Sequence, residues 1–143
     1  MMLLKRFKLL KKRLLWLALM PVSYCAFVLG FVWWQCFTCP LHGGKNGQLD
    51  AYRHTLASAV VAYTSSPKMV SLVTIVMERK GKQANLMDRH NNAIGAQIGK
   101  NAAAFNELKP AVILTISQGA INATKATQIT WLPQSYWGES LIW

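Results

Sequence analysis

Apolar positions fall into two patterns along this chain, one unbroken and one periodic. Residues 14 to 37, LLWLALMPVSYCAFVLGFVWWQCF, carry no charge over 24 positions. At about 1.5 Å rise per residue, a helix of that length crosses a hydrocarbon core of roughly 30 Å, which predicts a transmembrane anchor. Pro21 fits, since membrane helices bear proline better than soluble ones. Trp33 and Trp34 near the far end suit an interfacial anchor. Residues 38 to 48 read as a turn-rich linker containing Pro40, Gly43, Gly44 and Gly47.

From residue 49 the pattern becomes periodic. Leu49, Leu56, Val60 and Tyr63 share one face of a first helix over about residues 49–64. Ser66 as N-cap and Pro67 at the first helical position open a second segment. That segment is apolar nearly all round until Glu78, so its period fits a helix and a buried strand alike, and Gly81 ends it. A third helix is predicted over about residues 85–105, with Asn85 as N-cap and Asp88 three residues on. A fourth segment runs over about residues 108–123, with Pro110 in its first turn and either a helix or a strand across 110–118. The tail from residue 127 has three tryptophans and no clean period, and reads as an extended cover over the bundle or against the bilayer. The predicted fold is all-α: a transmembrane helix, a bundle of about four helices spanning a domain from 49 to 143, and an irregular aromatic-rich tail.

Charge orients this arrangement. Lys5, Arg6, Lys8, Lys11, Lys12 and Arg13 precede the span with no acid among them, so residues 1–13 are expected in the cytoplasm and the domain outside it. The span exceeds the roughly 7–15 apolar residues of a signal peptide and lacks a small-residue cleavage site. Tyr24 before Cys25 also disfavours a lipoprotein. A single-pass signal anchor with its N-terminus inside follows. The remaining ten Lys and Arg outnumber five acids, which suits anionic headgroups, so the lipid bilayer is the expected partner. No nucleic-acid motif is present, and nucleic acid is not expected as a partner. Cys36 and Cys39 form one isolated CxxC, open to a tight disulfide or to plain packing.

Polar residues inside the apolar pattern mark a candidate site. Asp50, Arg53 and His54 share a stripe beside the core face of the first helix. On the third, Asn91, Asn92, Gly95 and Gly99 fall within about 60° of Asp88 at 100° per residue, whereas His90 turns away and reads as solvated. Gly95 and Gly99 allow close helix packing, so Asp50, Arg53, His54, Asp88, Asn91 and Asn92 can converge, with Glu78 as a further member. These are the parts of an acid–base site: a carboxylate orients His54 as base, and Arg53 holds an anionic or carbonyl oxygen. The same oxygen-rich set suits a hard divalent cation without requiring one, and its spacing matches no metal motif. The bland alternative is a helix-terminal carboxylate with ordinary surface ion pairs.

The segments DAYRH and MDRHNNAIG, with an acid between them, resemble the order D-A-aromatic-R-H … E … M-D-x-x-N-N-x-x-G. This order is similar to that of a family of small bacterial domains of unknown function found in secreted, surface and toxin-like proteins. The resemblance covers about residues 46–99. It implies a helical domain whose motifs gather in one place, carried here by Asp50, Arg53, His54, Glu78, Asp88, Asn91, Asn92 and Gly95. The family pattern has a histidine before its glutamate, where this chain has Met77.

The resulting expectation is a membrane-anchored envelope protein whose domain is a hydrolase of lipid or cell-envelope substrate. His54, Asp50 and Asp88 would be catalytic, with Arg53, Asn91, Asn92 and Glu78 positioning the substrate. The alternative is a non-catalytic envelope or interaction protein, in which the same residues form a buried polar network that fixes helix packing.

Overall fold

The computed structural model describes residues 2–77 and 83–138. Five helices dominate it: α1 (Met2–Phe37), α2 (Gln48–Thr64), α3 (Pro67–Met77), α4 (Gln83–Asn101) and α5 (Leu108–Ser117). Two residue pairs, β1 (Ala120–Ile121) and β2 (Thr130–Trp131), form a short parallel ladder in the tail.

The helix α1 runs unbroken through Pro21, and its Leu19–Phe37 segment is long and apolar enough to cross a membrane. It is not detached from the domain. Val28, Val32 and Cys36, spaced four apart, are buried in the same core as α2. Tyr24 Oη and Thr64 Oγ1 lie within hydrogen-bonding distance at 2.6 Å, tying the middle of α1 to the end of α2. The last turns of the apolar span therefore belong to the bundle. Cys36 is buried and Cys39 half-buried, and both are free thiols.

The central element is α2. Its glycine N-cap, Gly47, supplies no side-chain hydrogen bond, and a carboxylate in the first turn, Asp50, takes up the amide of Asn46 instead. One side of α2 meets α1, and another meets α4 at close range. A Cβ on Gly95 would collide with the Thr55 carbonyl oxygen, and one on Gly99 with that of Ala59. Both predicted close-packing glycines thus fulfil that role.

The ambiguous second segment is helical over Pro67–Met77. Ser66 Oγ accepts the Met69 amide at 3.4 Å, as an N-cap does. Glu78 and Gly81 lie outside the described residues. The helix α4 begins two residues before the predicted cap, so Asn85 lies within it and Asp88 sits in its second turn. It also stops at Asn101, ahead of the predicted 105. A 3₁₀ turn, Phe105–Glu107, follows, where Glu107 Oε2 accepts the amides of Ala103 (2.9 Å) and Ala104 (3.3 Å). The fourth segment is helix across 110–117 and ends before Gly119, against which the Trp131 ring packs.

The tail covers the bundle and straps the linker. Leu132 N donates to Asn46 O (3.0 Å), Asn46 Nδ2 to Tyr136 O (2.8 Å), and Gly138 N to Lys45 O (2.9 Å). The Trp137 ring lies on Gly43, whose φ of 86° is one that glycine adopts without strain. The segment 38–48 is therefore a built part of the domain rather than a free connection.

Candidate functional site

Positions i, i+3 and i+4 of α2 carry Asp50, Arg53 and His54, which places all three on one stripe. Asp50 is buried, with Oδ2 accepting the Asn46 amide at 2.6 Å and Oδ1 accepting Arg53 Nη2. The strapped linker therefore fixes this carboxylate from one side and Arg53 from the other. Across the α2–α4 contact comes Asp88. His54 Nε2 lies 3.5 Å from Asp50 Oδ1 and 3.5 Å from Asp88 Oδ1, so the imidazole sits between two carboxylates. The two halves of the constellation meet.

One turn along α4, Asn92 ties three helices together. Its Oδ1 accepts Ser58 Oγ of α2 at 2.9 Å, and its Nδ2 donates to Thr74 Oγ1 of α3 at 3.2 Å. Asn91 points elsewhere. Its Nδ2 donates to Thr130 O at 2.8 Å and its Oδ1 accepts Thr130 N at 3.0 Å, pairing with the backbone of β2 as a neighbouring strand would. Asn91 is completely buried and does not line the pocket, so it is placed to hold the tail, not a substrate. His90 also differs from its solvated reading. It is half-buried, with Nε2 2.7 Å from Gln128 O, because the tail covers that side of α4. Glu78 lies outside the described residues.

The pocket above His54 has a volume of about 400 Å³. Asp50, Arg53, His54, Asp88 and Asn92 form its polar end, with Lys45 beside them. Ala57 and Val61 of α2 with Val70 and Val73 of α3 supply its apolar end, and Ser58 and Thr74, joined through Asn92, line it between the two.

Burial pushes the His54 imidazole below its ordinary pKa. The Asp50 carboxylate opposes that shift, the Arg53 guanidinium reinforces it, and a hydrogen bond with Asn92 opposes it. A neutral His54 that carries its proton on Nε2, between the carboxylates, leaves Nδ1 as the basic nitrogen. The arrangement is thus equipped for proton transfer. Asp50, His54 and Asp88 also each offer a ligand atom, all within 4.8 Å of one another, as a divalent cation would need. Arg53 already occupies Asp50 Oδ1 and would compete with a cation for it.

Four contributors escaped sequence reasoning. Ser58 lies at i+4 from His54, a spacing that could have revealed it. Asn46, at φ 67°, sits in an Asn-Gly turn signal whose amide partner no pattern shows. Thr74 is hidden in the apolar run of α3, and Lys45 in the linker.

A family model described as a domain of unknown function, DUF6973, matches residues 38–125, more than half of the chain. The chain belongs to the DUF6973 family. No curated protein and no solved structure matches it. The DUF6973 match contains every residue of the polar end of the pocket, whereas α1 and the β2 strap lie beyond its limits.

Proposed function

We propose that this DUF6973 protein is a single-pass hydrolase of the bacterial envelope, N-terminus in the cytoplasm and domain outside the inner membrane. The observation that carries this reading is the placement of His54 3.5 Å from each of two carboxylates in the lining of a pocket of about 400 Å³. His54 takes a proton from water as the water oxygen attacks a carbonyl or phosphoryl centre, and then returns it to the leaving group. Asp50 and Asp88 stabilise the imidazolium formed in between. Arg53 and Lys45 face the developing oxyanion, and Asn92 holds the wall of the pocket. The motif order quoted above and the basic flank before α1 support the bacterial, N-in assignment.

The scaffold alternative draws on Asn91, whose hydrogen bonds are all internal. His54→Gln in the purified full chain separates the two, scored against a panel of carboxylic and phosphoric esters with the melting curve recorded in parallel. Hydrolysis should fall by at least about 10²-fold at unchanged stability. Unchanged hydrolysis, or none by the wild type on any ester, would sink the catalytic reading.

A further inference from the structure

We propose that the pocket opens sideways into the lipid bilayer and takes an anionic lipid, its headgroup at the polar end and its acyl part along Ala57, Val61, Val70 and Val73. The substrate class deepens the hydrolase reading and rests on it; the immersion of α3 in lipid does not.

The first observation is α3 itself. A helix apolar nearly all round is normally buried in protein or in a membrane. Here Met69, Leu72, Val73 and Ile75 are 41%, 55%, 49% and 66% exposed. Such a contiguous patch marks an interaction surface. The second observation is its neighbour across the pocket. The Arg53 guanidinium lies 5.5 Å from the Trp33 ring of α1 and also lines the pocket, so this residue joins the pocket's lining to α1. Outward on α1, Phe27, Leu29, Trp34 and Phe37 are exposed as well. Two lining residues, Val73 and Arg53, thus each border a lipid-compatible surface.

Depth provides the third. Thr64 on α2 pairs with Tyr24 on α1, and Arg53 with Trp33, so the two helices run antiparallel. Thr74 is joined to Ser58 through Asn92, so α3 runs antiparallel to α2 in turn. Of the apolar run 14–37, only residues 14–23 precede the bundle-bound part of α1, about 15 Å of helix. That crosses half of a core of roughly 30 Å. A membrane-spanning α1 must therefore carry the adjoining edge of the bundle into the outer leaflet. Tyr24, Thr64 and the start of α3 then lie near mid-depth. Trp33, Arg53, Asp50 and His54 lie at the headgroup level, about 16 Å higher along α2. The polar and apolar ends of the pocket are stacked in the order of a lipid's head and tail, and Arg53 and Lys45 match an anionic head.

The test places spin labels singly at Leu72, Ile75, Met20 and Lys100 of the full chain in lipid nanodiscs, with Cys25, Cys36 and Cys39 replaced by alanine. Labels at Leu72 and Ile75 should collide with dissolved oxygen several-fold more than with a water-soluble nickel chelate, as at Met20, with the reverse at Lys100. Preferential nickel access at Leu72 and Ile75 overturns the immersion while lipid access at Met20 leaves the anchor intact; nickel access at Met20 overturns both. Shielding from both reagents with dipolar broadening would mean that a second copy covers α3. Wild-type protein needs no cysteine replacement for the companion measurement, native mass spectrometry after release from discs of equal phosphatidylglycerol and phosphatidylcholine. Phosphatidylglycerol should be retained preferentially, and Val73→Trp, which fills the apolar end, should cut retention at least tenfold. Equal retention of both lipids, or no effect of Val73→Trp, overturns the lipid site, whatever the result of the ester panel.

Discussion

Replacing Asn91 by alanine tests how the tail is held to the bundle. Asn91 is fully buried and makes two hydrogen bonds to Thr130, one to its amide and one to its carbonyl. Thr130 is itself buried, so truncation strands a donor and an acceptor away from water. Each stranded group costs about 1–3 kcal/mol, so the pair predicts a loss of about 2–6 kcal/mol. For a chain of this size, 1 kcal/mol moves the midpoint by about 3–4 °C, so Tm should drop by roughly 6–24 °C. Thermal unfolding of the full chain in discs, followed by tryptophan fluorescence, reads this directly because Trp131 adjoins Thr130. If Asn91→Ala melts within about 2 °C of the wild type, the carboxamide is not the clamp described here and the reasoning fails.

Three further outcomes follow from the same structure. Gly99→Ala should destabilise despite a helix-propensity gain of about 1 kcal/mol, because its Cβ meets the Ala59 carbonyl oxygen. Gly30→Ala, with nothing within 4 Å, should be neutral or stabilising, and a shared sign in their melting shifts would refute the packing argument. Trp137→Ala removes the ring over Gly43 and the bond from Nε1 to Leu132 O, so amide exchange over residues 43–47 should accelerate at least tenfold while α4 stays protected, as mass-resolved hydrogen exchange would reveal. Because burial lowers the His54 pKa, the folded state takes up its proton less readily than the unfolded chain, whose histidine titrates near 6.5. Stability from this residue is complete above that pH and declines as pH falls below it. His54→Gln should flatten the Tm–pH profile between about pH 5.5 and 7; an unchanged slope would show that this histidine is not the source.

Much of this architecture was legible from periodicity. The apolar run, the helices α2 and α4, and the glycines that let them meet all follow from which residue types recur at helical spacing. Asp50, Arg53, His54 and Asp88 come together because the stripe on α2 and the stripe on α4 border the faces along which those two helices pack. What escaped was non-local. The clamp from Asn91 to Thr130 spans 39 residues, the strap from Asn46 to Tyr136 spans 90, and no pattern within a window reports such pairs. The packing role of α1 was equally hidden, since Val28, Val32 and Cys36 are apolar for lipid and for a bundle alike.

The scaffold and the site divide between two adjacent residues. Neighbouring positions on a helix point about 100° apart, so Asn91 and Asn92 could not serve the same partner. Asn91 turns into the tail and closes both its bonds on backbone, which is a structural role complete in itself. Asn92 turns toward α2 and α3, where it bonds Ser58 and Thr74 and borders the open pocket beside His54. The consecutive asparagines that pointed to specific hydrogen bonds are therefore a junction. One fixes the tail whose strap holds Asn46, and Asn46 in turn holds Asp50. The other braces the wall against which a substrate would lie. A network that served packing alone would have no need to leave Asp50, Arg53 and His54 lining a cavity, and that open side is what the hydrolase reading uses.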